Sequence, residues 1–423
     1  MMTVAHTAAR AGATRRTAAD WEEARSAARD HRAVRPLPVV HRDLGAALGH
    51  ALAEPLAALT DLPSFDTSAM DGWAVAGPGP WRLRDGGVLA GGGHPEPLSD
   101  GTAVPIATGA PLPAGASAVL RREHGETGEY AAHAEHAATL SDRSPGAGRT
   151  VPGRDIRPRG QECRAGELLL PAGTTVTPAV LGLAAAAGYD RLPVHRRPTV
   201  ELLVLGDELL DSGPPHDGRV RDALGPLLPP WLRDRGARVT ERRRVSDDFG
   251  LLRAALRDSA ADVVVTTGST AAGPVDFLHE ALAEAGARLL VDSVAVRPGH
   301  PMLLAELPPA ADGRPRRLVG LPGNPLAAVA GTATLAVPLL GRLGGHADPE
   351  PLRMTAATAL PGHPRDTRLL PVRRAHRHAV APLPFDGPAM LRGLALADGL
   401  AVVPPGGAPA GTDVEILDVP SGR

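Results

Sequence analysis

The chain has 423 residues and a formal net charge of −2, with 43% hydrophobic and 22% charged residues. This length predicts about three domains, and the composition is that of a globular protein. The sequence contains no lysine, so all 45 basic residues are arginines. A Schiff-base lysine and a phosphate-binding loop ending in Gly-Lys are therefore excluded. The near-neutral charge and the 2% aromatic content argue against a nucleic-acid partner.

Features that would place the chain in a membrane or an oxidising compartment are not evident in the sequence. Cys163 is the single cysteine, so no internal disulfide can form. We find no apolar stretch that approaches the roughly 20 residues of a membrane-spanning helix, and the N-terminus lacks the apolar core of a secretory signal. We therefore expect a cytoplasmic protein with no membrane partner and a loose tail over residues 1–19.

The first half of the chain combines two predicted helices with a β-rich region. Asp20 is a predicted N-cap because acidic residues follow it in the first turn of a helical pattern. A second helix is predicted from Asp43 to about Ala57. Residues 60–175 alternate short apolar runs with Pro- and Gly-rich turns, which indicates a small β-rich domain.

From Arg197 onwards, apolar strand patterns alternate with amphipathic helical patterns. This alternation predicts a mostly parallel sheet with helices on both faces, and ligands in such sheets bind beyond the carboxyl ends of the strands. After about Gly345 the pattern returns to short strands, which indicates a small β domain at the end of the chain.

Three loops follow predicted strands and have the residues that a strand-end anion site needs. Residues 268–273 and 322–325 are rich in glycine and small side chains and precede helices, so their backbone N–H groups can face an oxyanion. An ordinary strand–helix turn and a simple Asn324 helix cap remain open as alternatives. The third loop, 206–209, carries Asp207 and Glu208, which are candidate Mg²⁺ ligands beside a phosphate or, alternatively, solvated surface charges.

Two further segments upstream combine acids, hydroxyls and glycines. Residues 61–74 contain three acids and three hydroxyls, and residues 108–116 contain a hydroxyl and two glycines. Each segment is also compatible with a simple surface turn. Together with the strand-end loops, however, they form an ordered series of motifs: Phe65–Gly72, Thr108–Pro113, Gly206–Leu209, Arg297–Pro301 and Gly320–Pro325.

This series resembles the molybdopterin molybdenumtransferases, the MoeA and gephyrin E-domain family, from about residue 20 to the end. The resemblance implies an α/β multidomain protein with a doubly wound, MogA-like molybdopterin-binding domain, a β-rich inserted domain and a C-terminal β-barrel. It assigns an elongated domain I to 20–74 and 151–194, domain II to 75–150, domain III to 195–345 and domain IV to 346–423. It also implies a homodimer, with each active site between domain III of one subunit and the N-terminal half of the other.

The resemblance further implies an enzyme that inserts molybdate into adenylated molybdopterin, releases AMP and requires Mg²⁺, with a molybdopterin-adenylating protein as a partner. It implies catalytic roles for Asp71, Glu208 and Asp247, and Mg²⁺ binding by Glu208 and Asp276. The implied substrate-binding residues are Ser68, Thr108, Gly268, Ser269, Thr270, Asp276, Arg297, Pro298, His300, Pro322, Gly323, Asn324 and Pro325.

Several positions depart from the family pattern. Ala271 and Ala327 stand where the family usually has serine, and Pro274 stands where it has an acid. His300 replaces a lysine and is mostly neutral near pH 7, while Leu224 replaces an asparagine. Each lost donor to a buried anion weakens binding by about 1.5–3 kcal/mol, although Ser269 and Thr270 can substitute. A non-catalytic pterin-binding or scaffolding dimer is therefore the alternative interpretation, and tungstate is an alternative oxyanion.

Overall fold

The computed structural model describes residues 18–30, 32–129, 138–145, 151–270 and 277–420. The first segment contains two helices and three short strands: α1 (Trp21–Ala28), β1 (Val39–Asp43), α2 (Leu44–Ala47), β2 (Leu56–Ala57) and β3 (Thr67–Ser68). Helix α1 begins as predicted, because the Asp20 carboxylate accepts the Glu22 N–H while Glu23 accepts the Asp20 N–H. The Trp21 indole N–H donates to Thr334 Oγ1 over 3.1 Å, which docks α1 onto a distant helix.

The predicted helix from Asp43 to Ala57 is wrong. Residues 39–43 form β1, and only the four residues of α2 are helical before Gly49 turns the chain with φ +73°. Long-range pairing overrides the local pattern here, because β1 pairs antiparallel with a strand near residue 193 and the Gly49 N–H donates to the Val176 carbonyl.

A six-stranded sheet follows, and it has its own small cores on its two faces. Its order is β7-β4-β6-β5-β9-β8. Its strands are β4 (Gly72–Val75), β5 (Trp81–Leu83), β6 (Thr102–Ile106), β7 (Ala118–Arg121), β8 (Gly125–Glu129) and β9 (Ala138–Asp142), with a 3-10 turn at Arg122–His124.

The chain then returns to pair with its first segment. Strands β10, β11 and β12 pair antiparallel with β3, β2 and β1 respectively, so two separated stretches of chain share one core around Leu52 and Leu192. The returning elements are β10 (Ile156–Arg157), β11 (Leu168–Leu170), α3 (Pro178–Ala186) and β12 (Arg191–His195).

The third unit is built on a second six-stranded sheet. Its elements are β13 (Thr199–Leu205), β14 (Leu209–Leu210), β15 (Val220–Arg221), α4 (Leu224–Asp234), β16 (Arg238–Val245), α5 (Phe249–Asp258), β17 (Val263–Thr267), α6 (Leu278–Glu284), β18 (Arg288–Asp292), β19 (Val296–Arg297), β20 (Leu303–Leu307), β21 (Arg316–Leu321), α7 (Pro325–Gly331), a π-helical segment (Thr332–Ala336) and α8 (Val337–Leu343).

The order of this sheet is β16-β13-β17-β21-β20-β18. The first four strands are parallel, as predicted, and the last two form an antiparallel edge that the sequence pattern did not reveal. Helix α4 and the 325–343 helix pack on one face, while α5 and α6 pack on the other. The predicted doubly wound arrangement is therefore confirmed.

The expectation that no apolar segment approaches membrane-spanning length is wrong. The helix Pro325–Leu343 has 19 residues and a mean hydropathy of 1.6 in its most apolar window, of which 72% is buried inside the protein. It is apolar because it runs through the largest core, where Val329, Leu335 and Leu339 are fully buried.

The C-terminal unit is a closed β-barrel, as predicted. Five strands run in the order β23-β24-β22-β26-β25, and pairing of β25 with β23 closes the ring. Strand β19 of the preceding unit pairs in parallel with the beginning of β23. The elements are β22 (Arg353–Ala356), β23 (Thr367–His376), β24 (Ala379–Pro382), α9 (Arg392–Leu396), β25 (Gly399–Val403) and β26 (Asp413–Leu417).

Asp262 anchors the amino-terminal end of the parallel sheet. Its side chain is 1% exposed and accepts hydrogen bonds from Arg196, Arg314 and both the N–H and hydroxyl of Thr199, all at 2.7–2.9 Å. Burial alone raises the pKa of Asp262, but the hydrogen bonds from Arg196 and Thr199 outweigh burial and lower it.

We predict that Asp262→Ala lowers the free energy of unfolding by about 3–5 kcal/mol, because it leaves the half-buried Arg196 without a counter-charge and the buried Thr199 donors without their acceptor. Equilibrium urea unfolding measures this loss. The control is Asp312→Ala, since Asp312 pairs with the same Arg314 at the surface and its loss should change stability little. Equal losses in the two variants would contradict the anchoring role.

Three histidines, His50, His195 and His346, lie near one another. They are found where the N-terminal segment, the unit with the parallel sheet and the segment leading into the barrel meet. His346 Nδ1 lies 2.8 Å from Thr175 Oγ1, and His50 Nδ1 lies 2.9 Å from the His195 carbonyl oxygen. Burial, followed by the charge of Arg197, lowers the pKa of His346 below its usual 6.5. Burial likewise lowers the pKa of His50. Both side chains are therefore neutral in the folded protein at pH 7.

A histidine with a lower pKa in the folded state than in the unfolded state favours folding at a pH above its unfolded pKa. This contribution to stability is lost as the pH falls towards the folded pKa. We therefore predict that the unfolding midpoint falls as the pH drops below about 6.5, and that His346→Gln makes this fall shallower. Urea unfolding at several pH values between 7.5 and 5 measures the slope. The exposed His41 provides the control variant His41→Gln, and identical slopes in both variants would rule out a contribution from His346.

Candidate functional site

Three neighbouring parallel strands deliver their carboxyl ends to the same edge of the sheet. Val204 of β13 pairs with Thr267 of β17, which pairs with Leu321 of β21. The loops after these strands therefore lie side by side. They line one cleft of about 590 Å³, here called the strand-end cleft. Its lining includes Leu205, Glu208, Leu209, Val220, Arg221, Asp222, Thr267, Gly268, Ser269, Thr270, Pro301, Pro322, Gly323, Asn324, Pro325 and Ala389.

The two glycine turns approach each other closely inside this cleft. Gly268 has φ +89° and donates its N–H to the Leu321 carbonyl over 2.9 Å. A Cβ placed on Gly323 would lie 3.7 Å from the Gly268 Cα. Thr270 is buried and Ser269 is half-buried with φ +52°. Hydroxyl and amide groups are thus the polar groups of this wall of the cleft.

The acidic loop after β13 is held in place by neighbouring side chains. The Asp247 carboxylate accepts the Asp207 N–H over 3.2 Å, and Arg244 donates to the Gly206 carbonyl over 3.1 Å. The exposed Glu208 carboxylate folds over Gly206, where a Cβ would lie 2.5 Å from Glu208 Oε2. Asp247 therefore positions this loop, and Glu208 presents a carboxylate to the cleft.

The Asn324 turn differs from the expected oxyanion turn in one respect. Asn324 is the N-cap of α7, but its side chain makes no capping hydrogen bond. The Leu326 and Ala327 N–H groups instead donate to the Pro388 carbonyl of the C-terminal unit, over 2.8 and 3.2 Å. These helix amides are thus already paired, and the exposed Asn324 amide group is left to face the cleft.

The 297–301 turn contacts the C-terminal unit. The Arg297 Nε donates to Asp366 Oδ2 over 2.8 Å, and this bond lowers the pKa of Asp366 against the opposing effect of burial. The His300 Nδ1 lies 2.8 Å from the Val294 carbonyl oxygen, while Pro301 lines the strand-end cleft. Pro298 joins Arg297 to this turn through a cis peptide bond.

The upstream motifs form a second polar cluster, here called the upstream cluster and consisting of Ser68, Asp71 and Thr108. Asp71 Oδ1 accepts the Thr108 N–H over 2.8 Å, and hydrogen bonds from the Thr108 backbone and hydroxyl lower the pKa of Asp71. The Ser68 carbonyl accepts the Gly109 N–H over 2.8 Å. None of the three lines the strand-end cleft of the same chain.

Some predicted positions lie outside the described residues, namely Ala271, Pro274 and Asp276. Within the described ranges, no group of three or more His, Cys, Asp or Glu side chains is placed to hold a metal ion. The Glu208 carboxylate beside the cleft remains compatible with Mg²⁺, which typically takes one or two protein carboxylates and completes its shell with water and phosphate oxygens.

Sequence reasoning missed several residues that line the strand-end cleft or lie beside it. Arg221 and Asp222 lie on and after β15, whose pairing with β14 is only two residues long and gives no clear strand pattern. Pro388 and Ala389 come from the C-terminal unit, and no local pattern could place them beside α7. Only the folded chain brings these residues to the cleft.

Comparison with known proteins identifies the family. Residues 19–188 match the MoeA N-terminal region (domain I and II), residues 201–342 the family described as "Probable molybdopterin binding domain", and residues 353–419 the MoeA C-terminal region (domain IV). Molybdopterin molybdenumtransferase 2 of Mycobacterium tuberculosis (strain CDC 1551 / Oshkosh) is 33% identical, covering 94% of this chain and 98% of its own.

A Synechococcus elongatus molybdopterin molybdenumtransferase is also 33% identical, over 68% of this chain and 72% of its own. The crystal structure of the molybdopterin biosynthesis MoeA protein from Pyrococcus horikoshii OT3 shares the fold, with a TM-score of 0.74 and 20% identity over 95% of this chain and 100% of that one. The resemblance seen in the sequence motifs is thus confirmed. The chain belongs to the molybdopterin molybdenumtransferase (MoeA) family.

Proposed function

We propose that this protein inserts molybdate into adenylated molybdopterin and releases AMP, as a cytoplasmic homodimer that requires Mg²⁺. The observation that carries the proposal is the strand-end cleft, where an acidic loop and two glycine turns from three adjacent parallel strands meet. Such a site matches a substrate with a pterin, a phosphoanhydride and a tetrahedral oxyanion to be bound together. Family membership supports the same activity.

The wall formed by Gly268, Ser269 and Thr270 is the proposed oxyanion site. The Gly268 N–H already donates to Leu321, so the Ser269 and Thr270 hydroxyls are the donors proposed to bind a tetrahedral anion without lysine, which this chain lacks. Because Pro388 already accepts the α7 amides, the 322–325 turn contributes chiefly the Asn324 side chain and the apolar faces of Pro322 and Pro325. These groups suit the pterin ring rather than the anion.

Glu208, with Asp276, is the proposed Mg²⁺ ligand, and Asp247 holds the loop that carries Glu208. Mg²⁺ supplies charge neutralisation of the phosphoanhydride. Arg297 and His300, on the turn that reaches the cleft through Pro301, remain proposed substrate contacts. Arg297 must exchange its Asp366 bond to reach a phosphate.

The upstream cluster would act from a second copy of the chain. Ser68, Asp71 and Thr108 do not line the strand-end cleft of their own chain, so a homodimer that places them opposite this cleft accounts for the motif. Asp71 is ionised at neutral pH, and its lowered pKa extends the ionised form to more acidic conditions. A molybdopterin-adenylating protein is the proposed partner, because the substrate must arrive adenylated.

The first test is AMP release from adenylated molybdopterin with molybdate and Mg²⁺. We predict that Glu208→Gln reduces the rate by at least about 10–100-fold, since it removes a metal-facing carboxylate. Asp258→Asn is the matched control, because Asp258 is exposed and pairs with its neighbour Arg257. If the unmodified protein and Glu208→Gln both release AMP at the same negligible rate while the pterin still binds, the protein is instead a non-catalytic pterin-binding dimer.

The second test separates ligand binding from folding at Asn324. Since the Asn324 side chain makes no capping bond, Asn324→Ala should leave the thermal unfolding midpoint within about a degree and weaken binding of adenylated molybdopterin roughly tenfold. Calorimetric titration and thermal unfolding give the two readouts. A large loss of stability with unchanged affinity would show that Asn324 serves the helix and not the ligand.

A further inference from the structure

A second cleft, of about 330 Å³, lies away from the strand-end loops. It is found where the N-terminal segment, the unit with the parallel sheet and the segment leading into the barrel meet. We call it the junction cleft. Its polar lining is dominated by arginines from separate parts of the chain: Arg25 and Arg29 from α1 and its C-cap, Arg197 before β13, and Arg235 after α4. Gly49, Thr175 and His346 complete the walls beside them.

Two of the four arginines in the junction cleft have carboxylate partners at its rim. The cleft itself is lined by the four arginines and by Asp234 and Asp348, with His346 neutral. Arg25 and Arg235 each approach one further carboxylate at the rim, at 3.9 Å to Glu415 and 3.0 Å to Asp418.

Arg29 and Arg197 have no carboxylate partner among the described residues. Arg197 Nη2 donates to the Leu48 carbonyl over 2.7 Å, but its buried Nε makes no hydrogen bond in the described part of the chain. The buried Nε of Arg235 is likewise without a hydrogen bond, although Asp234 lies 3.5 Å away. Buried donors of this kind normally have acceptors.

The positive groups in this cleft oppose one another. Burial is the main cause that lowers the pKa of Arg25, Glu415 acts in the opposite direction, and the charge of Arg29 lowers the pKa further. Arg197 similarly lowers the pKa of His346. Arg25 and Arg29 are thus like charges held near each other, and an anion bound beside Arg29 would reduce their repulsion.

We propose that the junction cleft binds a phosphate group, either as inorganic phosphate or as the phosphate of a small monoester metabolite. Guanidinium groups present forked donors that match tetrahedral phosphate oxygens, and four arginines line this cleft, two of them without a carboxylate partner among the described residues. A bound phosphate would join α1, the end of α4 and the segment leading into β13. The site is therefore an effector or stabilising site, distinct from the strand-end cleft.

The test compares thermal unfolding and calorimetric titration with inorganic phosphate and with glycerol 3-phosphate, at constant ionic strength set with chloride. We expect saturable binding and a rise in the unfolding midpoint of several degrees at millimolar phosphate. Arg29→Gln should weaken phosphate binding at least tenfold. In phosphate-free buffer the same variant should be as stable as the unmodified protein or more so, because it removes a repelling charge.

The control is Arg257→Gln, which removes an exposed arginine paired with Asp258 on α5 and should keep the full phosphate response. A stronger response to glycerol 3-phosphate than to phosphate would identify a monoester as the natural ligand. An unchanged phosphate affinity in Arg29→Gln would place any binding at another site, and lower stability of this variant without phosphate would show that Arg29 serves only the C-terminal end of α1. Either result, or no binding at all, overturns the proposal.

Discussion

The pairing of β13, β17 and β21 is the constraint on which the candidate active site depends. Parallel strands in register end together, so Leu205, Thr267 and Leu321 deliver three loops to one edge although they lie far apart in the sequence. The Asp262 network fixes the opposite end of β17 against Arg196 and Arg314. A slip of one residue in any of these strands would turn the cleft residues towards the core.

The C-terminal barrel takes part in the site through the Pro388 carbonyl. This carbonyl accepts the Leu326 and Ala327 N–H groups that would otherwise attract an anion to the start of α7. The positive end of the long helix is thus screened, which is why residues 268–270 are the proposed oxyanion site.

Local sequence patterns predicted the strands that are buried along their whole length. They failed where pairing between distant segments determines the secondary structure. The fully buried runs Thr199–Leu205 and Val263–Thr267 and the capped helix after Asp20 were all predictable from local signals. The stretch 43–57 was not, because pairing of β1 with β12 imposes an extended conformation on an apparently helical pattern. Pro388, Ala389 and the Arg297–Asp366 pair also depend on contacts that no local pattern encodes.

The chain has arginines but no lysine, and its arginines occupy two contrasting electrostatic environments in the fold. Around Asp262, two guanidinium groups share one buried carboxylate, and Asp312 supplies a second carboxylate to Arg314, so the charges are balanced within the chain. In the junction cleft, Arg29 and Arg197 have no carboxylate partner among the described residues. Since both environments sit at boundaries between units and use the same side chain, residue type cannot explain the difference. The missing counter-charge in the second environment is what points to an external anion.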